Sequence, residues 1–538
     1  MKPLRPWLPR PNPRLFRAVR LALLWSLPLW VGVLAAACVM AEPPPPPDPY
    51  ARYRPAMKPT TQAQLDDLGP VPRYDLTITL DPELTQLRGS GSILVPNTSA
   101  DPWTYVVFRL YPSLEQYGGE LALTSVTVDG ETATFSYLAQ GSAARIDLPV
   151  ALLPDQEARI DLSWTLTIPN WDEDLPQAYR LFGLSQGMLN LPLFYPSLAV
   201  YQEGPVLGSG RWWLDQGTVR GDAAFNLASL FVVTATLPSD LVPVTSGTLV
   251  TSTLVTDTET GASQSRHVWV TGPNREFTIL ASPEYQSAST EAYGTRVVSY
   301  WLPGQEANGR RALQYAATAL RVFSDKFGPY PYRDLRVAAA PLSFRGMEYP
   351  QLLELGVGLY GRYQDELELR TVHEVAHEWW YLQVHNDPVN FPWIDEGLAE
   401  YSTKIYYDAL GGTATARRLQ VQRWQNVITA LQARGGDAPL NLPVMGYASS
   451  SQYEAVVYGK GALFYDALRQ GLGDVTFEKF LQEYVQDYRY QIVGPEDILK
   501  LARKFNPTVV DRLYQEWIGD LPELSAPEPT ATPPGDGS

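Results

Sequence analysis

The chain has 538 residues, 45% of them hydrophobic and 12% aromatic, which is too long for a single core and too rich in packing material for a disordered polymer. Its formal net charge of −16, from 58 acidic and 42 basic residues, argues against nucleic acid as a partner. A single cysteine, Cys38, excludes an intramolecular disulfide, so packing must carry the stability.

In chain order, a basic region (Lys2, Arg5, Arg10, Arg14, Arg17, Arg20) precedes an apolar run over residues 21–41. This is the layout of a signal sequence or a membrane anchor, with the cationic flank held in the cytoplasm. Small residues just before Cys38 are similar to a lipoprotein cleavage box, which would make Cys38 the lipidated first residue. An uncleaved anchor and plain cleaved secretion are the alternatives, and each places the body in the cell envelope or beyond, outside the cytoplasm. Residues 42–70 open on the proline run 43–47, a semi-rigid spacer.

From residue 71 to about 288 the texture is β. Residues 74–80 (YDLTITL), 160–166 (IDLSWTL) and 231–237 (FVVTATL) alternate or run apolar between Pro, Gly, Asn and Asp punctuation, the pattern of a large antiparallel sheet or sandwich. Beyond about residue 289 helical spacing takes over: 308–327, then a short apolar strand at 335–340, then helices at 367–383, 396–409, 415–433, 459–470, 476–488 and 496–504. Residues 523–538 form a low-complexity Pro-rich tail. The fold class is therefore multidomain α+β, a β domain at 71–288 followed by a mostly helical domain at 289–522.

The chemistry concentrates in His373-Glu374-Val375-Ala376-His377. Residues four apart share a helix face, so both imidazoles can reach one ion, with Glu374 beside them to accept a proton from water. Two imidazoles and a carboxylate with one open position are the ligand set of catalytic zinc. Glu396, separated from His377 by eighteen intervening residues and at the start of the next helix, supplies the third ligand, because the Asn/Asp/Pro-rich loop 384–392 lets that helix return alongside the first. One Zn²⁺ per chain is expected. His267 and His385 read as structural or surface residues.

Residues 372–380 (VHEVAHEWW), 392–401 (PWIDEGLAEY) and 327–332 (FGPYPY) resemble the aminopeptidase N family of gluzincins, which includes leukotriene hydrolase. The resemblance covers about residues 74–520. It implies a saddle-like N-terminal β domain, a thermolysin-like catalytic domain and hydrolysis of peptides from the N-terminus. Gly346-Met347-Glu348 falls on the family's Gly-x-Met-Glu-Asn motif, which implies that Glu348 anchors the substrate's α-amine. Arg345 stands in place of the first Gly and Tyr349 in place of Asn. Tyr458-Gly459-Lys460-Gly461 is similar to the family's Tyr-x-Lys-Gly segment, implying that Tyr458 stabilises the tetrahedral intermediate; Tyr453 is a neighbouring candidate. Helical sequence ends near Leu521, so the C-terminal helical domain of many relatives is not expected and the cleft should be open. Residues 190–201 (NLPLFYPSLAVY) stand where the family's β domain usually contacts substrate. A zinc endopeptidase on the same scaffold and a non-catalytic peptide-binding envelope protein remain as alternatives. Peptides are the expected partners, and the chain is expected to be tethered to the membrane at its N-terminus.

Overall fold

The structure is a computed structural model, described here for residues 48–171, 181–215, 220–257 and 261–519. The largest sheet takes its strands from β1 (Arg73–Leu80), β2 (Gln86–Pro96), β3 (Glu120–Val128), β4 (Glu157–Thr167), β5 (Leu230–Pro238), β6 (Thr248–Thr256) and β7 (Ser263–Val270), in the order β6-β7-β5-β1-β2-β4-β3, with Glu131–Thr132 at the far edge. Alternation decides its faces: Tyr74, Leu76, Ile78 and Leu80 of β1 are all buried while Thr77 and Thr79 are exposed. The expectation of an antiparallel sheet needs one correction. β1 and β5, far apart in sequence, run parallel in the middle, and Tyr74 stacks on Phe231 across that junction at 4.7 Å. Their apolar faces, not hairpin connectivity, choose the pairing.

The second sheet contains β8 (Gln286–Ala292), β9 (Thr295–Trp301), β10 (Asp334–Ala340), β11 (Gly346–Met347) and β12 (Leu352–Gly356), in the order β8-β9-β10-β12-β11. β10 is buried along its whole length and is parallel to both neighbours, which is why its sequence is a continuous apolar run. Helix α1 (Glu306–Phe327) lies against this sheet through Ala312, Ala316, Leu320, Phe323 and Phe327, spaced at a helical repeat. Helices α2 (Leu367–Ala376) and α3 (Trp393–Ala409) follow, and α4 (Gly461–Leu472) packs on α3.

Three expectations change. α2 stops at Ala376 and does not run to residue 383, because Trp379 turns onto Phe323 and Phe327 and Trp380 bonds Ser402 Oγ at 2.9 Å. The helices placed at 415–433 and 459–470 are longer bodies interrupted by wide π-turns at Gln420–Gln425 and Ala455–Lys460. Residues 50–66 do not continue the Pro-rich spacer: Tyr53, Ala56, Met57 and Leu65 are buried, and Met57 bridges Tyr332.

The β-rich and helical halves belong to one body. Buried polar bonds cross between them. Asn190 Nδ2 donates to Glu354 Oε2 at 2.6 Å, Tyr381 Oη to Glu276 at 2.6 Å, and Arg275 to the carbonyls of Leu382 and Gln491 at 3.1 and 3.0 Å. No helix among the described residues is long and apolar enough to cross a membrane. Cys38, the 21–41 run, the proline run and the 523–538 tail lie outside the described residues.

Candidate metal centre and substrate cleft

α2 and α3 pack side by side, and the short connection between them is pinned by Asn386, which bonds Asp395 Oδ1 at 3.0 Å. As a result His373 on α2 and His377, one turn later at its C-terminal cap, face Glu396 in the first turn of α3. His373 Nε2 lies 3.2 Å from His377 Nε2 and 3.2 Å from Glu396 Oε2, and His377 Nε2 lies 3.4 Å from the same oxygen. All three side chains are buried.

The outer nitrogens fix the tautomers. His377 Nδ1 lies 3.0 Å from the Trp380 carbonyl, which can only accept, so Nδ1 carries the proton. His373 Nδ1 lies 3.4 Å from Glu400 Oε2. Both Nε2 atoms therefore direct lone pairs at the same point as the Glu396 carboxylate. Ligands about 2.0–2.1 Å from a tetrahedral Zn²⁺ sit roughly 3.3 Å from one another, which is the spacing seen. The residues present fit a divalent zinc ion.

A second shell holds this arrangement. Glu400 receives Arg423 Nε at 3.0 Å and Trp424 Nε1 at 2.8 Å. Burial alone would raise its pKa, but the Arg423 charge and the His373 contact hold it well below the usual carboxylate range. Glu396 behaves alike: burial opposes ionisation, and the two imidazoles beside it outweigh burial and hold its carboxyl below the usual carboxylate range. Asp395 is pushed up to about 7 by burial and by the Glu396 charge. Tyr458 Oη donates to Glu396 Oε1 at 2.5 Å from within the π-turn, and Tyr453 sits edge-on to it at 6.1 Å.

Glu374 faces the opposite wall. Burial raises its proton affinity, and the two histidines pull it back. Against it runs β11, the edge strand of the second sheet. A side chain on Gly346 would place its Cβ 2.1 Å from Glu374 Oε1, so glycine here lets the strand pass without displacing the Glu374 carboxylate. Met347 is buried beneath, and Glu348, also buried, keeps Oε1 without a hydrogen-bond partner among the described residues. One carboxylate oxygen each of Glu348 and Glu374 lies within 4.8 Å of a His377 ring nitrogen.

Every site residue read from the sequence between 346 and 458 thus meets in one cleft. Asp222 was missed. Its carboxylate lies within 4.8 Å of Glu348 and Glu396, and burial first, then the Glu348 charge, hold it well above the usual carboxylate range. Gly221 beside it adopts φ +63°, and a Cβ there would strike Tyr453 Oη at 2.6 Å. This turn from the β-rich half enters the cleft only because position 221 is glycine. A lone Asp in a strand-rich region carries no spacing signal; Gly-Asp at a turn was the one available hint. His267 stacks on Trp269 and His385 packs edge-on to Tyr381, both away from the trio.

The profile of the Peptidase family M1 domain matches residues 311–517, the segment that supplies every group above except Asp222. Residues 311–517 are a peptidase family M1 domain. Curated proteins similar to this chain include Aminopeptidase M1-A of Oryza sativa subsp. japonica, 26% identical over 44% of this chain and 28% of its own length. Aminopeptidase B of Rattus norvegicus is 28% identical over 37% of this chain and 34% of its own. The chain thus spans about a third or less of the length of these relatives. Among solved structures, a mutant M1 zinc metallopeptidase from Deinococcus radiodurans shares the fold at TM-score 0.63 and 21% identity, with 85% of this chain and 96% of that one covered. The same protein bound to a Tyr-Ser-Ala substrate matches at TM-score 0.61 and 20% identity, over 85% and 96%. The fold of the chain is therefore that of a β-rich region followed by a helical region, as in those structures.

Proposed function

We propose that this chain is a zinc-dependent aminopeptidase that removes the first residue from oligopeptides. The observation that carries the reading is one gathering of groups: the buried carboxylate of Glu348 with the half-buried Asp222 beside it, Glu374, and the three converging ligand atoms, each cluster within 4.8 Å. His373, His377 and Glu396 would hold the ion. When bound, Zn²⁺ supplies Lewis acidity toward a water and toward the scissile carbonyl.

The remaining work belongs to the chain. Glu374 takes the proton of the attacking water and returns it to the leaving amine. Tyr458, its hydroxyl already aimed at the ligand carboxylate, donates to the oxygen on which negative charge develops. A substrate α-ammonium has three N–H donors and no acceptor, so it satisfies Glu348 and Asp222 together, and a chain that begins there can extend in one direction only. Glu400, Trp380 and Arg423 keep the imidazoles in the required tautomer. The apolar run at 21–41, with Cys38, supports placing this body outside the cytoplasm, tethered at its N-terminus.

The test uses the full chain with peptides carrying free or acetylated N-termini, with and without a chelator, beside Glu374→Gln. Stepwise loss of first residues from free peptides only, abolished by chelator and by the substitution, is the expected result. Cleavage inside acetylated peptides would replace the reading with an endopeptidase. Stoichiometric metal with no cleavage would replace it with a binding protein.

A further inference from the structure

The far end of the cleft carries the opposite charge from its amine end. Arg345, immediately before the edge strand, sends Nε and Nη2 to Glu366 at 3.3 and 3.4 Å, with its guanidinium 3.6 Å from the centroid of the Tyr363 ring. Arg370 reaches the same carboxylate at 3.5 Å, and it sits one turn before Glu374 on α2, on the same helix face. Two guanidinium groups therefore share one carboxylate, leaving a surplus positive charge beside the general base. The charge remains available to a ligand: the Arg345 and Arg370 side chains are 33% and 21% exposed.

Strand order turns this into a ruler. Among the described residues β11 pairs with β12 on one side only, so an extended peptide can add to its other edge. With its amine at Glu348 and its first carbonyl near Glu374, which faces Gly346, the peptide must run antiparallel to β11 and leave past Arg345. Three residues of strand cover about 10 Å, so the end of a peptide three or four residues long arrives within reach of the Arg345 side chain. We propose, resting on the aminopeptidase reading, that this enzyme recognises both ends of short peptides, the α-ammonium at Glu348 and Asp222 and the C-terminal carboxylate at Arg345, with Arg370 supporting it. Arginine suits the task because its planar fork matches a carboxylate. The preferred substrates are then free tripeptides and tetrapeptides, as released by an endopeptidase acting upstream.

The experiment compares kcat/KM for a tripeptide and an octapeptide of the same first residue, each as free acid and as C-terminal amide, with an aminoacyl arylamide as a control. The tripeptide acid should exceed its amide by on the order of tenfold, mainly in KM, while the octapeptide pair should be equal. Arg345→Gln should bring the tripeptide ratio close to one, and Arg345→Lys should restore part of it. Calorimetric binding of the same acid and amide to the metal-loaded Glu374→Gln protein gives a readout free of turnover, and it should show the same preference. Equal rates for acid and amide in the wild-type chain, with the arylamide cleaved, would overturn the proposal and leave the aminopeptidase intact. An arylamide that is not cleaved would instead remove the underlying reading.

Discussion

At the scale of single residues, the proposed reaction divides the work between groups that would touch the reacting atoms and groups that would hold a charged end. Tyr458 belongs to the first kind. Tyr458→Phe removes one hydroxyl from a buried ring and leaves the packing intact, so kcat should fall by roughly 10²–10³ with KM little changed, measured with a free peptide at saturating metal. Glu348 and Asp222 belong to the second. Glu348→Gln should cost about 10- to 100-fold in kcat/KM for substrates with a free amine, and Asp222→Asn should do the same. Because the two carboxylates meet one ammonium, the double substitution should cost less than the product of the two. Among these residues, His373 and His377 were legible because helix periodicity ties their spacing to a common face, Glu374 because it stands beside them, and Glu396 because a short loop returns the next helix alongside. Glu348 and Tyr458 were legible only through resemblance, since a lone Glu in a loop or one Tyr among 31 carries no signal of its own. Asp222 left only the Gly-Asp pair as a hint, as it is brought in by a turn more than a hundred residues from Glu348.

At the scale of elements, strands and helices followed the sequence where one apolar face decided them, and departed from it where tertiary packing did. β1 and α1 appear where expected because their buried positions repeat at the right period, and β10 because it is a short continuous apolar run. The early end of α2 and the two π-turns were invisible, because they depend on where Trp379, Trp380 and Tyr458 find partners. The bond from Asn190 to Glu354 on β12 gives this scale a measurable consequence. Burial pushes Glu354 up to about 8 from an ordinary 4.5, with Asn190 opposing only in part. Between those values the unfolded chain gives up a proton that the folded chain keeps. The contribution is therefore whole below about pH 4.5 and is lost as the pH rises toward 8. Glu354→Gln retains an acceptor for Asn190 and removes the titration. Its melting temperature should fall less than that of the wild type between pH 5 and pH 8.5, by an amount equivalent to a few kcal/mol; parallel curves for the two proteins would show that Glu354 ionises normally.

At the scale of the whole molecule, buried polar bonds join the β-rich and helical halves at Glu354, Glu276 and Arg275, so the described body should unfold as one unit. Calorimetry should give a single transition whose measured enthalpy equals the van't Hoff value; two resolved peaks would show the halves to be independent. The turn at Tyr293–Gly294 bears on this unity. It joins β8 to β9, two strands paired with each other along their length, and Tyr293 is 42% exposed. A nick there severs the chain at the point where its two sides are already zipped together, leaving Asp222 on one piece and Glu348, Glu374 and the ligand trio on the other. The molecule is thus laid out as a split reporter: two fragments, each lacking part of the pocket, can re-anneal through one hairpin and regain turnover in proportion to how often they meet.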